Sequence, residues 1–196
     1  MKQLLFTAVE LFYMTLQYPE ELSVYLDKIP EIKILEKIVV FLVSLSAAAG
    51  LYNLRDYYSS SYAVHLLMLT GAIYLFLYFI IVLFASLFES FIQKTNPAKS
   101  GSGNQARSIF TLGILPLVFF QPASVVSSML EKPVFLILPI FSFLLFWCIQ
   151  IHLKSLQYLY ELSMQQTVKF YFMSLLYLIA FPFLIIALLI VMGISL

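Results

Sequence analysis

The stretch GILPLVFFQPASVV, residues 113–126, decides how this chain is read. It is apolar enough to lie in a bilayer, yet it carries Pro116 and Pro122, with Gln121 beside the second. A proline inside a helix removes one N–H donor and crowds the carbonyl four residues back. Lipid offers no replacement for the lost bond. Either the stretch does not span, or other parts of the chain supply partners for the freed groups.

Composition answers the first half of that question. The chain has 196 residues, 62% of them hydrophobic and 11% charged, with a mean hydropathy of +0.98. Soluble domains are about half apolar and about a quarter charged. A core of this size cannot hide so much apolar surface, so lipid must cover part of it. The net charge of +1 lacks the basic footprint of a nucleic-acid binder, and no nucleic-acid partner is expected. The lone cysteine, Cys148, sits in an apolar run and provides neither a disulfide frame nor a thiolate cluster. No cofactor or metal site is expected. The opening MKQLLFTAVELFYMTLQYPEEL has no small-x-small cleavage site and is not expected to be a cleavable signal peptide.

The hydropathy pattern predicts an all-α polytopic membrane protein with five spans, at 38–54, 62–92, 109–128, 134–152 and 170–194. The opening stretch is the body of the third. Residues 1–37 form a separate N-terminal segment, interfacial or cytoplasmic. Within it, residues 1–18 read as an amphipathic helix, with Gln3, Thr7, Glu10 and Gln17 on one face and Pro19 ending the run. Eighteen residues rise about 27 Å, barely enough to cross, and a central Glu10 would cost a few kcal/mol in lipid. This helix is expected to lie in the interface. Residues 154–169 are too polar for the bilayer centre and are read as an extension of the flanking helices.

Lysines and arginines set the orientation. With the N-terminus in the cytoplasm, nine of the eleven basic residues fall inside, leaving Arg55 and Lys132 outside. Five spans then place the C-terminus outside. Integral membrane localisation follows, with a prokaryotic cytoplasmic membrane as the expected site. Tyr52, Tyr57, Tyr58 and Tyr62 cluster at the first outer loop as an interfacial belt.

Catalytic constellations are not expected. His65 and His152 fall at opposite ends of their spans, about 20–30 Å apart in depth. The sequence contains no H-E-x-x-H or G-x-S-x-G pattern, and no serine has a base beside it. Three other features stand out. Glu89, the one acid inside a predicted span, is expected to pair with His152 or Lys154 at the inner boundary. In SLSAAAG, Ser44, Ser46, Ala48 and Gly50 form a small-residue face for close helix packing, within the chain or against a second copy. Pro122, Pro139 and Pro182 fall at a common depth, about 18–20 Å above the inner boundary. They are expected to face one another around a small polar cavity, with Gln121 supplying donors to freed carbonyls. Pro116 has no counterpart at its depth.

The second half, RSIFTLGILPLVFF, then FSFLLFWCIQIHLKSLQYLYELS, then MQQTVKFYFMSLLYLIAFPFLIIALLIVMG, resembles the Yip-domain family of Ypt/Rab-GTPase-interacting multispan proteins. The resemblance covers residues 38–196 by the order of its spans. It implies five spans, an inside N-terminus and an outside C-terminus. The Asp-Leu-Tyr-Gly-Pro motif of eukaryotic members is absent, the nearest stretch being LYNLRDYY, so the short prokaryotic branch is the nearer match. The expected function is a non-enzymatic scaffold or adaptor acting on membrane lipids or partner proteins. The alternative is a small-solute or ion transporter, or a subunit of a transport complex, using the cavity of spans three to five.

Overall fold

The computed structural model describes residues 2–26, 28–29, 32–54, 62–95, 97, 103–129 and 133–194. Among these the secondary structure is helical, with no strand: α1 Lys2–Gln17, a 3-10 turn Pro19–Glu21, α2 Leu22–Leu26, α3 Ile32–Asn53, α4 Tyr62–Thr95, α5 Gly103–Gly113, a 3-10 segment Leu115–Phe119, α6 Phe120–Ser128, α7 Pro133–Leu159 and α8 Met164–Ile194. Four stretches are long and apolar enough to cross a membrane: Ile32–Asn53, Tyr62–Thr95, Gly103–Ser128 and Phe135–Leu159. The chain is a helical membrane protein by these criteria. The fifth expected span, 170–194, belongs to α8, and its side chains from residue 184 onward lie outside the described residues.

Two boundaries differ from expectation, and one extension follows it. The first span starts at Ile32 rather than 38, because Lys33, Glu36 and Lys37 are good helix formers that extend it toward the N-terminus. The helix of 134–152 does extend into the polar linker, to Leu159, one face of the extension being buried through His152, Ser155 and Leu156. The third span is not one helix. Its α-helical ladder stops at Gly113, and a 3-10 segment with Pro116 in its first turn carries the chain to Phe120. Proline's fixed φ and missing N–H suit the start of a helical segment, so Pro116 opens the new segment rather than kinking an old one.

The core gathers in one half of the bundle. Leu11 of α1, Leu22 and Leu26 of α2, Val40 of α3, Phe88 of α4, Phe110 of α5, Leu156 of α7 and Tyr171 of α8 all belong to it. Aromatic rings knot this packed half together. Phe84 meets Phe110 at 4.8 Å and Tyr171 at 5.0 Å, both edge-on, and Phe88 lies 5.8 Å from Tyr160. Edge-to-face pairs add about 0.5–1.5 kcal/mol each beyond area burial. The other half is different. Only 11% of the apolar window of α4 is buried, and Leu67, Met68, Leu75, Phe76 and Phe79 stand exposed along it. Phe135, Leu138, Phe143 and Phe146 do the same on α7. Such all-round apolar helices need lipid around them.

The polar linker between α7 and α8 is set by two local devices. Glu161 has φ 47°, and the Leu162 N–H reaches the Gln157 carbonyl at 3.0 Å while the Glu161 N–H reaches Tyr158 at 3.2 Å. This pair of bonds is a Schellman stop. Ser163 and Gln166 then exchange bonds, Gln166 N–H to Ser163 Oγ at 3.3 Å and Ser163 N–H to Gln166 Oε1 at 3.2 Å. That reciprocal pair is a capping box, and it starts α8.

Candidate functional site

The break in the third span is held by α3. Ser46 is buried, and its hydroxyl donates to the Val118 carbonyl at 2.8 Å, with Leu117 O farther off at 3.3 Å. The same oxygen accepts the Gln121 N–H at 3.0 Å. Val118 stands four residues before Pro122, so its carbonyl is the one that the proline leaves without an α-helical donor. Ser46 therefore sits in the gap in the backbone ladder and bridges its two sides. Farther along, Asn53 Nδ2 donates to Ser124 Oγ at 3.3 Å, and that hydroxyl donates to the Gln121 carbonyl at 2.7 Å.

Ser44, Ser46, Ala48 and Gly50 are all buried, and α3 lies against the 3-10 segment and α6. The small-residue face is thus packed within the chain. The fit is close: a Cβ on Gly50 would come within 2.5 Å of the Phe120 ring. Phe120 in turn meets Phe141 of α7 at 5.4 Å, so the broken span is wedged between α3 and α7.

Gln121 is half-buried and meets Ser46 through its backbone N–H, not its side chain. Pro122, Pro139 and Pro182 are exposed. They do not converge inside the bundle, which corrects the expected inward-facing proline level. The physical reason is local. The carbonyl freed by Pro122 finds a serine hydroxyl on the neighbouring helix, so the Pro122 ring itself can turn outward.

The expected pairing of Glu89 with His152 or Lys154 is also replaced by other bonds. Glu89 is buried, and its Oε2 accepts from the Tyr160 hydroxyl just past the end of α7. Burial, and then the Glu89 carboxylate, push the Tyr160 phenol well above the usual tyrosine range. His152 is buried between Tyr171 OH, 3.1 Å from Nδ1, and the Phe110 carbonyl, 3.2 Å from Nε2. Gly113 makes room for this ring, since a Cβ there would lie 2.1 Å from it. Lys154 is exposed and lies 4.0 Å from Glu20, beside Ser155, whose hydroxyl donates to the Pro19 carbonyl at 2.6 Å. These contacts fasten the N-terminal segment to α7. The Tyr25 phenol of α2 is pushed up to about 12, first by burial and then by Glu10 of α1.

Two polar contacts in the packed half had no place in the sequence reading. Glu36 is buried and accepts the Ser108 hydroxyl. Arg107 donates to Tyr78 OH at 2.5 Å, and its guanidinium lies 5.0 Å from that ring's centre. A signal for Glu36 did exist, because it shares a helical stripe with Val40 and Val43. Two clefts flank Arg107. One, of ≈ 420 Å³, runs between α3 and α5 past Lys33, Glu36, Lys37 and Tyr78. The other, of ≈ 400 Å³, lies between α4 and α5 past Ser86, Glu89 and Gln93. A third, of ≈ 650 Å³, lies at Glu20, Lys154, Gln157 and Tyr158. His65 is exposed in the first turn of α4, at the opposite end of that helix from Glu89. Tyr52 and Tyr62 meet edge-on at 5.2 Å, while Tyr57 and Tyr58 of the expected belt lie outside the described residues.

No family model, no curated protein and no solved structure matches the chain.

Proposed function

We propose that this chain is a non-enzymatic membrane scaffold whose working surface is its packed half, facing the cytoplasm. In this reading α8 is the fifth span, and the C-terminus lies outside. α1 lies in the inner interface, with Phe6, Val9 and Tyr13 on its exposed side reaching into lipid. The bias of lysine and arginine toward one side supports this orientation, and a prokaryotic cytoplasmic membrane is the setting it suits. The order of spans supports a place near the short branch of the Yip-domain proteins.

One observation carries the scaffold reading over a transporter. At the level where a solute path would need converging polar groups, Ser46 already occupies the freed Val118 carbonyl, and Pro122, Pro139 and Pro182 face outward. The polar clefts described above lie instead at the packed end, around Arg107 and Lys154. A scaffold needs a rigid body and an accessible face, and the aromatic knot with its pinned N-terminal segment supplies both.

The test is cysteine accessibility in the native membrane. Gln121→Cys, in a chain whose Cys148 is replaced by serine, should resist membrane-impermeant maleimides from both sides. Crosslinking and mass spectrometry of the tagged protein should recover partners joined through the packed half. Labelling of position 121 from either side would overturn the scaffold in favour of a transport path.

A further inference from the structure

The cleft between α3 and α5 has a charge that the fold itself does not use. Lys33 and Lys37 stand exposed one turn apart on α3, and Arg107 faces them from α5. Among the described residues none of the three cations is in an ion pair. Among the described residues the cleft's one acid, Glu36, is buried and holds the Ser108 hydroxyl. Three cations against one carboxylate leave an anion-seeking cleft. Arg107 spends one donor on Tyr78 and is pinned over its ring, which aims a planar fork while leaving most of its five donors open. Asn104 and Gln105, in the first turn of α5, add polar groups to the same wall.

The surroundings say what kind of anion fits. Ile34, Ile38 and Phe41 are exposed on α3 beside the two lysines. Leu75, Phe76 and Phe79 are exposed on α4 on either side of Tyr78. The cationic cleft thus sits where an apolar, lipid-seeking surface ends. A free anion would use the charge but not the stripe above it. An anionic phospholipid uses both, its phosphate among the cations and its acyl chains along the exposed side chains.

We propose that this cleft binds the phosphate of an anionic phospholipid headgroup, held by Lys33, Lys37 and Arg107. The proposal deepens the scaffold reading, since it rests on the packed half facing the cytoplasmic leaflet. It gives that scaffold a lipid preference. A juxtamembrane cation near a surface contributes about fivefold in affinity, so removing all three should cost on the order of a hundredfold.

The experiment measures binding of phosphatidylglycerol to the purified full-length protein in phosphatidylcholine nanodiscs, by native mass spectrometry and by fluorescent-lipid titration. The expected result is selection of phosphatidylglycerol over phosphatidylcholine. Lys33→Gln with Lys37→Gln changes only exposed side chains, so its folding is safe, and it should weaken binding about 25-fold. Adding Arg107→Gln should remove the preference. Inorganic phosphate and glycerol phosphate, at concentrations matching the lipid, should not displace it. The proposal is overturned if the double variant binds phosphatidylglycerol within twofold of the parent chain. Displacement by inorganic phosphate would overturn the lipid assignment in favour of a free-anion site. Because no partner or transport is involved, this binding can fail while the scaffold reading stands, and the maleimide result can fail while the binding stands.

Discussion

Removing one hydroxyl at Ser46 should loosen the whole middle of the bundle. Ser46→Ala deletes the donor to Val118 O at 2.8 Å and the acceptor for Gln121 N–H at 3.0 Å. Backbone groups left unpaired in a soluble core cost about 1–3 kcal/mol each when fully buried, and these two are partly buried. Hydrogen bonds between membrane helices are weaker, averaging about 0.6 kcal/mol with a maximum near 1.7. The backbone can also close partly on itself, because Gln121 stands three residues after Val118, as in a 3-10 turn. A loss of about 1–2 kcal/mol is therefore expected for the pair of bonds. The proline supplies the control. Pro122→Ala restores an N–H four residues beyond Val118, so that carbonyl gains an alternative donor. In the Pro122→Ala background, Ser46→Ala should cost about 1 kcal/mol less than in the parent. The assay is reversible unfolding in mixed micelles, titrating denaturing detergent and reading helicity and tryptophan fluorescence. Trp147 stacks on Phe119 at 6.4 Å, next to the break, and reports its opening. Equal costs of Ser46→Ala with and without Pro122, or no cost in either, would refute the bridging role.

The same titration reads three further substitutions. Gly113→Ala places a Cβ 2.1 Å from the His152 ring and must expel it from between Tyr171 and the Phe110 carbonyl, at about 1–3 kcal/mol; a loss below about 0.5 kcal/mol would show that the ring has room to move. Tyr160→Phe takes a hydroxyl from the buried Glu89 carboxylate and should cost about 1.5–3 kcal/mol, since bonds to charged groups lie in that range. The raised Tyr160 phenol fixes the sign of its pH effect: it contributes stability below about pH 10, the unfolded tyrosine value, and this is lost as the pH rises toward the folded value. Alkaline absorbance titration should find one phenol fewer ionising late in Tyr160→Phe than in the parent, and an unchanged count would contradict the assignment. Ser163→Ala opens the capping box at the start of α8 and should cost about 1 kcal/mol, whereas an unchanged midpoint would mean that Gln166 caps alone.

The helices were legible because their signals are local. Greasy runs of bilayer length mark themselves, whereas the Ser163–Gln166 box that starts α8 went unread in the sequence. Burial at Glu36 was half-legible, through a carboxylate on an otherwise apolar stripe. Glu89 and His152 stand out in the sequence as ionisable groups within predicted spans. Their partners, Tyr160, Tyr171 and the Phe110 carbonyl, were not legible, because each lies on another element at an unpredictable register.

The opening stretch shows the same division. Its apolar run and its two prolines are facts of sequence, and they determine that a membrane segment loses helix donors and that the Val118 carbonyl needs another partner. Common depth along separate helices suggested that Pro122, Pro139 and Pro182 should meet. Depth fixes only one coordinate, however, and the rotation of each helix about its own axis is set by what it packs against. Only the tertiary structure could decide that α3 turns Ser46 toward the break, and that the exposed proline rings face away from the bond that repairs it.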